Sequence, residues 1–352
     1  MFVHPQIKLN IKNLKLFFGK FSEKELEEKL LKVFPNCHFL FTDSGRSAFQ
    51  VAIEELKLEN SAMLVPAYIC DIFEPIFKHY NIKPVFLDIK PQTFHADLSN
   101  IESKITPETK SILICHTYGL PVNLNGILEI AKKYNLKIIE DCAHIAPPTS
   151  PEKFGDCAFF SFAKLFPVIN GGMLVSKNPA EIILPKYKSK LSNSIKFLRL
   201  FPFLANLSEK FRSDETILAS KELSLPRKAS KNSLKMLDWY LINYEKQISK
   251  RKELAEYFQK KLIEIGFEMQ ESRNNTFTYL SALVPKNLDR DELFYKLRKC
   301  GIFCSRIWKK PLFNGLPNTS ETAKRIINFP LQNWFTEKDI DKIISCILSA
   351  RD

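Results

Sequence analysis

Several things are missing from this sequence, and each absence excludes something. There is no Arg-rich tail and no aromatic-interleaved RNA-binding motif. The formal net charge of +13 therefore does not read as a nucleic-acid surface. Spread along the chain, that charge suits an anionic small molecule such as a nucleotide or phosphate ester. No CxxC or Cys/His cluster marks a zinc site. No apolar run approaches the length needed to cross a bilayer. Met1 to Lys20 holds no clean apolar block ahead of a small-residue cleavage site, so no secretory leader is expected. A reducing cytoplasm is the expected compartment. Internal repeats and low-complexity tracts are also lacking.

What is present is a globular composition, 45% apolar and 26% charged over 352 residues, enough for a large core and roughly two domains. Most of the eight cysteines sit inside apolar runs, as buried reduced thiols do.

The most informative stretch is LKIIEDCAHIAPPTSPEKFGDCAFFSFAKLFPVINGGMLV, from Leu136 to Val175. A short apolar run stops at Glu140-Asp141-Cys142-Ala143-His144. That is how a buried parallel strand looks when its carboxyl end carries polar groups. A second run, Cys157 to Phe162, is followed at once by Ala163-Lys164 and then by Gly171-Gly172. Two strand ends would thus offer a carboxylate, an imidazole and an amine. Such a trio suits pyridoxal phosphate, whose aldehyde takes a lysine amine and whose ring nitrogen takes a carboxylate. The plainer reading makes Asp141 a helix cap and Lys164 a solvated amine.

Upstream, strand and helix alternate. Ser22 is placed to cap a helix over residues 23–34, and strand Cys37 to Thr42 runs into Asp43-Ser44-Gly45-Arg46-Ser47. A strand, a Ser-Gly turn and a helix start make an anion site of free N–H groups and hydroxyls, although a simple helix cap uses the same residues. Strand Ala62 to Val65 ends near Tyr68, whose ring suits either a flat cofactor or the core. Helix to Tyr80, strand Pro84 to Leu87, helix Leu98 to Lys104, strand Ser111 to Cys115 and helix Leu124 to Tyr134 follow. Polar residues fall at the strand ends: Ser44, Tyr68, His116, Asp141 and Lys164. This is the pattern of an α/β doubly wound, mainly parallel sheet with one site along its edge.

Beyond Ser176 the pattern changes. Residues 185–212 are basic and Phe-rich, with Pro202 breaking any long helix, and suit a lid, a subunit contact or a membrane-surface helix. A long helix is expected over Leu234 to Ile265, then a strand–helix–strand–helix unit containing strand Tyr279 to Val284. Within that unit, helix Arg290 to Cys300 is closed by Gly301, and a capping-box order stands at Thr336 to Asp339. The expected division is a large part, 1–232, and a smaller C-terminal α/β part, 233–352.

Taken in order, TDSGRSAF, VPAY, PVFLDI, HTYG, IIEDCAH, FGDCAFFSF with Lys164 and Gly171-Gly172, KRKELAEYF, GIFCSRIW and NFPLQNWFTEKDIDKII resemble the DegT/StrS-type sugar aminotransferases, fold type I pyridoxal-phosphate enzymes. The resemblance covers almost the whole chain and implies an aspartate-aminotransferase-like fold. It implies that Lys164 holds the cofactor, Asp141 pairs with the pyridinium nitrogen and His144 stands near the phenolic oxygen. Ser44, Gly45, Arg46 and Ser161 fall at phosphate-contacting positions, and Tyr68 lies in the segment that supplies the ring-stacking aromatic. Two departures are evident. Lys164 follows Ser161 by only three residues, and Ile169-Asn170 replace the usual Gly-Glu. The implied activity moves an amino group from glutamate to a keto-sugar nucleotide, in a homodimer, without nucleic acid or membrane contact. Two alternatives stay open. One is a sugar dehydratase or lyase relative, although those relatives replace the lysine by histidine. The other is a scaffold that kept the fold without the chemistry.

Overall fold

Short runs of branched and aromatic residues bounded by turns become the strands of a central sheet. The computed structural model describes residues 1, 3–8, 19–146, 154–188, 198, 200–210 and 223–351. Its strands are β1 (His38–Thr42), β2 (Ala62–Pro66), β3 (Lys83–Leu87), β4 (Thr109–Cys115), β5 (Lys137–Asp141), β6 (Cys157–Ser161) and β7 (Gly172–Ser176). They form one seven-stranded sheet in the order β1-β7-β6-β5-β4-β2-β3. Strands β3, β2, β4, β5 and β6 run parallel, and β7 lies antiparallel between β6 and β1. The mainly parallel α/β sheet is as expected, and β2 is buried at every position, as covered parallel strands are.

The helices are α1 (Glu23–Leu31), α2 (Gly45–Glu55), α3 (Glu74–His79), α4 (Asn125–Tyr134), α5 (Phe162–Leu165), α6 (Pro202–Lys210), α7 (Lys231–Ile242) and α8 (Tyr244–Glu264). A second, antiparallel sheet of β8 (Glu268–Met269), β9 (Leu280–Leu283) and β10 (Ile326–Phe329) has the order β10-β9-β8. With α8, α9 (Arg290–Lys299) and α11 (Glu337–Ser349) it closes a core around Phe258, Phe294, Phe329 and Ile343. A further helix, α10 (Pro317–Arg325), precedes β10 and was not anticipated.

Local signals held where side chains cap the backbone. Ser22 Oγ accepts the Glu25 N–H, and Thr336 and Asp339 form a reciprocal capping box. Gly301 takes the left-handed φ of 75° that ends α9. Two expectations fail for the same kind of reason. The single helix over Leu234–Ile265 is broken at Asn243, whose N–H turns back to Tyr240 and whose side chain bonds to Trp239 O. The helix over Leu98–Lys104 is a turn with one short 3₁₀ piece, Glu102–Lys104. There Asp97 Oδ1 accepts the Ser99 N–H and Ser103 Oγ donates to Asn100 O, so side chains satisfy the backbone without a helix. Much of the basic Phe-rich segment lies outside the described residues. Within it, Pro202 opens α6 at the position proline tolerates.

Side chains and main chain pin the C-terminal part over the carboxyl edge of the large sheet. Asp88, just past β3, accepts the Asn318 and Thr319 N–H groups and so caps α10. Gln270 Nε2 donates to Thr93 O and Thr117 O, and the Thr276 N–H donates to Gly119 O.

At this edge, His95 donates from Nε2 to Leu120 O at 3.0 Å, and burial lowers its pKa to about 3. The unfolded chain takes up a proton near pH 6.5 that the folded chain refuses, so this residue costs stability as pH falls below that value. Between pH 7 and pH 5 the contribution is about 1–2 kcal/mol. Thermal melts across that range should show a shallower acid-side loss for His95→Asn than for the wild type. Identical slopes would contradict the burial account.

Candidate active site

Strand β5 delivers Asp141 to the carboxyl edge, and His144 follows three residues later. Strand β6 ends at Ser161, where α5 turns at once and carries Lys164 on its single turn. The short gap between Ser161 and Lys164 brings the amine back over β5. Lys164 Nζ lies 3.4 Å from His144 Nε2.

Asp141 is buried, and its Oδ1 accepts the Ala143 N–H at 2.9 Å. Among the described residues its Oδ2 meets only the Cys115 thiol, at 3.9 Å, a weak donor. Burial pushes the carboxyl above its usual range, and the Lys164 charge pulls it back. One lobe of this carboxylate therefore lacks a strong donor.

His144 is held on several sides. Its Nδ1 accepts the Tyr118 N–H at 3.2 Å, and its main-chain oxygen accepts from Thr278 Oγ1 at 2.5 Å. Its ring stacks on Trp308 at 5.1 Å and on Tyr118 at 5.6 Å, and meets the edge of Tyr279 at 5.1 Å. Burial first, then the Lys164 charge, drives the imidazole well below its ordinary pKa. The ring is neutral, and because Nδ1 accepts, the hydrogen sits on Nε2, the nitrogen facing Lys164.

The Ser-Gly turn forms as the spacing suggests. Ser44 Oγ caps α2 by accepting the Ser47 N–H at 3.2 Å, and Ser47 Oγ donates to Asp43 at 2.5 Å. The Gly45 and Arg46 N–H groups stand in the first helical turn, where no intrahelical acceptor exists. A Cβ on Gly45 would meet the Ser161 Cβ at 3.0 Å, and one on Gly172 would meet the Ser44 carbonyl carbon at 2.5 Å. Ser44, Gly45, Ser161 and Gly172 are thus packed into one cradle of backbone donors and hydroxyls. A phosphate on the turn, a ring nitrogen at Asp141 Oδ2 and an aldehyde at Lys164 are each matched by residues present.

The structure brings two residues not singled out in the sequence, Cys70 and Trp308, to this cluster, and places Tyr68 in the core beside it. Tyr68 is fully buried, its hydroxyl bonded to Tyr118 Oη at 2.9 Å and its ring set against Phe94 and Trp308. That favours the core reading over ring stacking. Two residues on, the half-buried Cys70 senses both Lys164 and Asp141 electrostatically, with burial pushing its thiol up. Trp308, from the far end of the chain, forms a wall; its only sequence signal was its place in GIFCSRIW. Of the polar strand-end residues, His116 is diverted into a buried pair with Glu140.

The sequence model of the DegT/DnrJ/EryC1/StrS aminotransferase family matches residues 11–348. The chain is 26% identical over 353 aligned residues to the dTDP-4-amino-4,6-dideoxy-D-glucose transaminase of Shigella dysenteriae, covering 92% of this chain and 89% of that one. Its fold is similar to that of a putative sugar aminotransferase of Streptococcus pneumoniae in its PMP form, with a TM-score of 0.75, 17% identity and coverage of 99% and 98%. It is also similar to an E. coli GDP-4-keto-6-deoxy-D-mannose-3-dehydratase with bound hydrated PLP, with a TM-score of 0.72, 18% identity and coverage of 99% and 100%. At these identities the structural likenesses establish the fold, which is fold type I.

The cradle makes a steric prediction. Gly172→Ala would drive a methyl into the Ser44 backbone, and should cost about 1–3 kcal/mol and weaken cofactor binding. Gly126→Ala, in the first turn of α4 with nothing within 4 Å, should be neutral or stabilising by up to about 1 kcal/mol. Thermal melts and cofactor titrations of the two variants would test this, and equal behaviour would refute it.

Proposed function

Because the chain belongs to the DegT/DnrJ/EryC1/StrS aminotransferase family, and is a pyridoxal-phosphate-dependent sugar aminotransferase, we propose that it moves an amino group from glutamate to a nucleotide-linked keto-sugar. The product would serve surface-polysaccharide or related amino-sugar biosynthesis. The observation carrying this reading is the meeting of Lys164, His144 and Asp141 at two neighbouring strand ends. The Shigella relative is named for a dTDP-linked sugar, and a net charge of +13 suits an anionic nucleotide-sugar.

When bound, pyridoxal phosphate supplies an aldehyde that accepts the amino group and a ring that draws electrons from the reacting carbon. The protein's residues take the remaining roles. Asp141 would hold the ring nitrogen and keep it protonated, a role suited to a buried carboxylate with one weak donor at Oδ2. His144 Nε2–H donates toward the oxygen at the ring's edge. The N–H groups of Gly45 and Arg46, the hydroxyls of Ser44 and Ser161, and the Arg46 charge bind the phosphate. Lys164 Nζ would hold the cofactor through its aldehyde, and its amine would be placed to move a proton in the reaction. Cys70, rather than Tyr68, would be the neighbour of the bound ring, while Tyr68 packs against Trp308 and Tyr118. Those aromatics wall the imidazole, while Lys164 stays half-buried.

In this reading residues 1–232 hold the cofactor and 233–352 close over it. Two copies form a homodimer in the cytoplasm, without nucleic acid or membrane contact.

An absorbance scan tests the core of the proposal. The purified protein should show a visible band that borohydride removes and that glutamate converts to the shorter-wavelength band of the aminated cofactor. Lys164→Ala should lose the borohydride-sensitive band while still binding cofactor. A band unchanged by glutamate would turn the assignment toward the lyase alternative, and no cofactor in stoichiometric amount would remove the reading.

A further inference from the structure

Beside the site lies a second, deeply buried polar group that the roles above leave unused. Glu140 precedes Asp141 on β5 and is entirely shielded from solvent, as is His116 at the end of β4. Both oxygens of Glu140 are occupied: Oε2 accepts from His116 Nε2 at 2.9 Å, and Oε1 accepts the Gly155 N–H at 2.6 Å. His116 Nδ1 accepts the Val122 N–H at 3.0 Å. The ring is therefore a donor at Nε2 and an acceptor at Nδ1, and the pair grips both ends of the loop from His116 to Val122.

That loop is bent hard. Tyr118 has a φ of 60° and Gly119 a φ of 113°, and a side chain at Gly119 would meet the Thr278 N at 2.7 Å. A tyrosine in the left-handed region is strained and persists only where its surroundings enforce it. The enforced conformation aims the Tyr118 N–H at His144 Nδ1.

We propose that Glu140 and His116 are positioning residues for the transamination: by holding the Tyr118 loop they fix His144 as the Nε2–H tautomer facing Lys164. The order of hydrogen bonds is continuous. The Glu140 carboxylate takes the His116 Nε2–H, His116 Nδ1 takes the Val122 N–H, the bent loop presents the Tyr118 N–H, and His144 Nδ1 takes it. If that N–H moved away, the proton on His144 could shift to Nδ1, and the face toward Lys164 would become an acceptor. Such a face could not donate to an oxygen on the cofactor.

Glu140, His116 and Cys142 also place one ligand atom each within 4.8 Å of one another, the geometry of a metal cluster. Both histidine nitrogens are already engaged, one accepting an N–H and one donating, so no lone pair is left to ligate.

Glu140→Gln isolates the claim. In either orientation of the amide, one N–H group must face either the Gly155 N–H or His116 Nε2. Where the amide nitrogen faces His116, that ring would have to move its proton to Nδ1, against the Val122 N–H; where it faces Gly155, the donor clash falls on the Gly155 N–H and loosens the same carboxylate anchor. His116→Gln can keep both bonds, donating from its amide nitrogen and accepting at its oxygen, whereas His116→Leu can keep neither.

The experiment uses the cofactor-loaded protein labelled with [15N]histidine, with the His144 signals assigned by their loss in His144→Gln. In the wild type and in His116→Gln, Nδ1 should read as unprotonated and Nε2 as protonated. In Glu140→Gln and His116→Leu the two should move toward a tautomer mixture. If Glu140→Gln does not fold, judged by circular dichroism, the two His116 variants decide. A second arm measures the half-reaction with glutamate. Glu140→Gln should slow it on the order of 10-fold in the wild-type background and far less in a His144→Gln background. Equal losses in both backgrounds, or an unchanged His144 tautomer beside a lowered rate, would overturn the proposal. This kinetic arm rests on the proposed function and the tautomer arm does not. A tautomer shift in a protein inert toward glutamate would therefore sink the activity and leave the positioning role standing.

Discussion

A carboxylate sealed from water has to be answered by hydrogen bonds or by positive charge. Asp141 has one good donor, one poor one and the Lys164 amine close enough to act on it, and much of the fold can be read as the means of arranging that. Strands β5 and β6 must be adjacent and parallel for their ends to emerge together, and they are, with Asp141 opposite Phe159. Strand β7 must return antiparallel with a glycine at its start, because Gly172 stands where the Ser44 backbone leaves no room for a side chain. The same glycine brings the phosphate-type turn against Ser161. Charge, sheet order and one missing Cβ are parts of a single requirement.

The aromatic wall of the site concentrates backbone strain. Phe94, Tyr118, Phe277 and Trp308 all take positive φ, between 50° and 63°, and none is a residue type that favours it. Phe94, Tyr118 and Trp308 pack around Tyr68, and Trp308 and Tyr118 stack on His144. What enforces them comes from both parts of the chain: Tyr118 Oη donates to Ile307 O at 2.7 Å, and the Tyr279 N–H donates to Tyr118 O at 3.1 Å. Strain located where the C-terminal part meets the strand ends makes the site depend on their contact, since neither side alone holds these residues in place.

The sheet and the acid–amine pair were legible because their signals are local. An apolar run ending in charge marks a strand and its ligand-facing end, and Asp141, His144 and Lys164 each sit within a few residues of such an end. Less legible was anything decided by a side chain's choice of backbone partner. Asn243 breaks a helix without glycine or proline, by caps that a periodicity count cannot see. The loop after β2 is irregular, so nothing in the order Tyr68-Ile69-Cys70 says which residue reaches the site; the structure buries the larger one. Trp308 lies 164 residues from His144 in the chain, and only the tertiary fold brings the two rings to 5.1 Å.

The pair Glu140-Asp141 is the sharpest case. In the sequence the two carboxylates are indistinguishable neighbours. On a strand, successive side chains leave by opposite faces, so one goes toward His116 and Gly155 and the other toward Cys115 and Lys164. Glu140 finds a full set of donors and asks for nothing more; its role ends inside the protein. Asp141 meets, among the described residues, one strong donor, the Ala143 N–H, and one weak one, the Cys115 thiol. Two acids equal in charge and both buried thus differ in the strength of the donors that meet them, which is the difference the proposed roles of brace and binding residue call for.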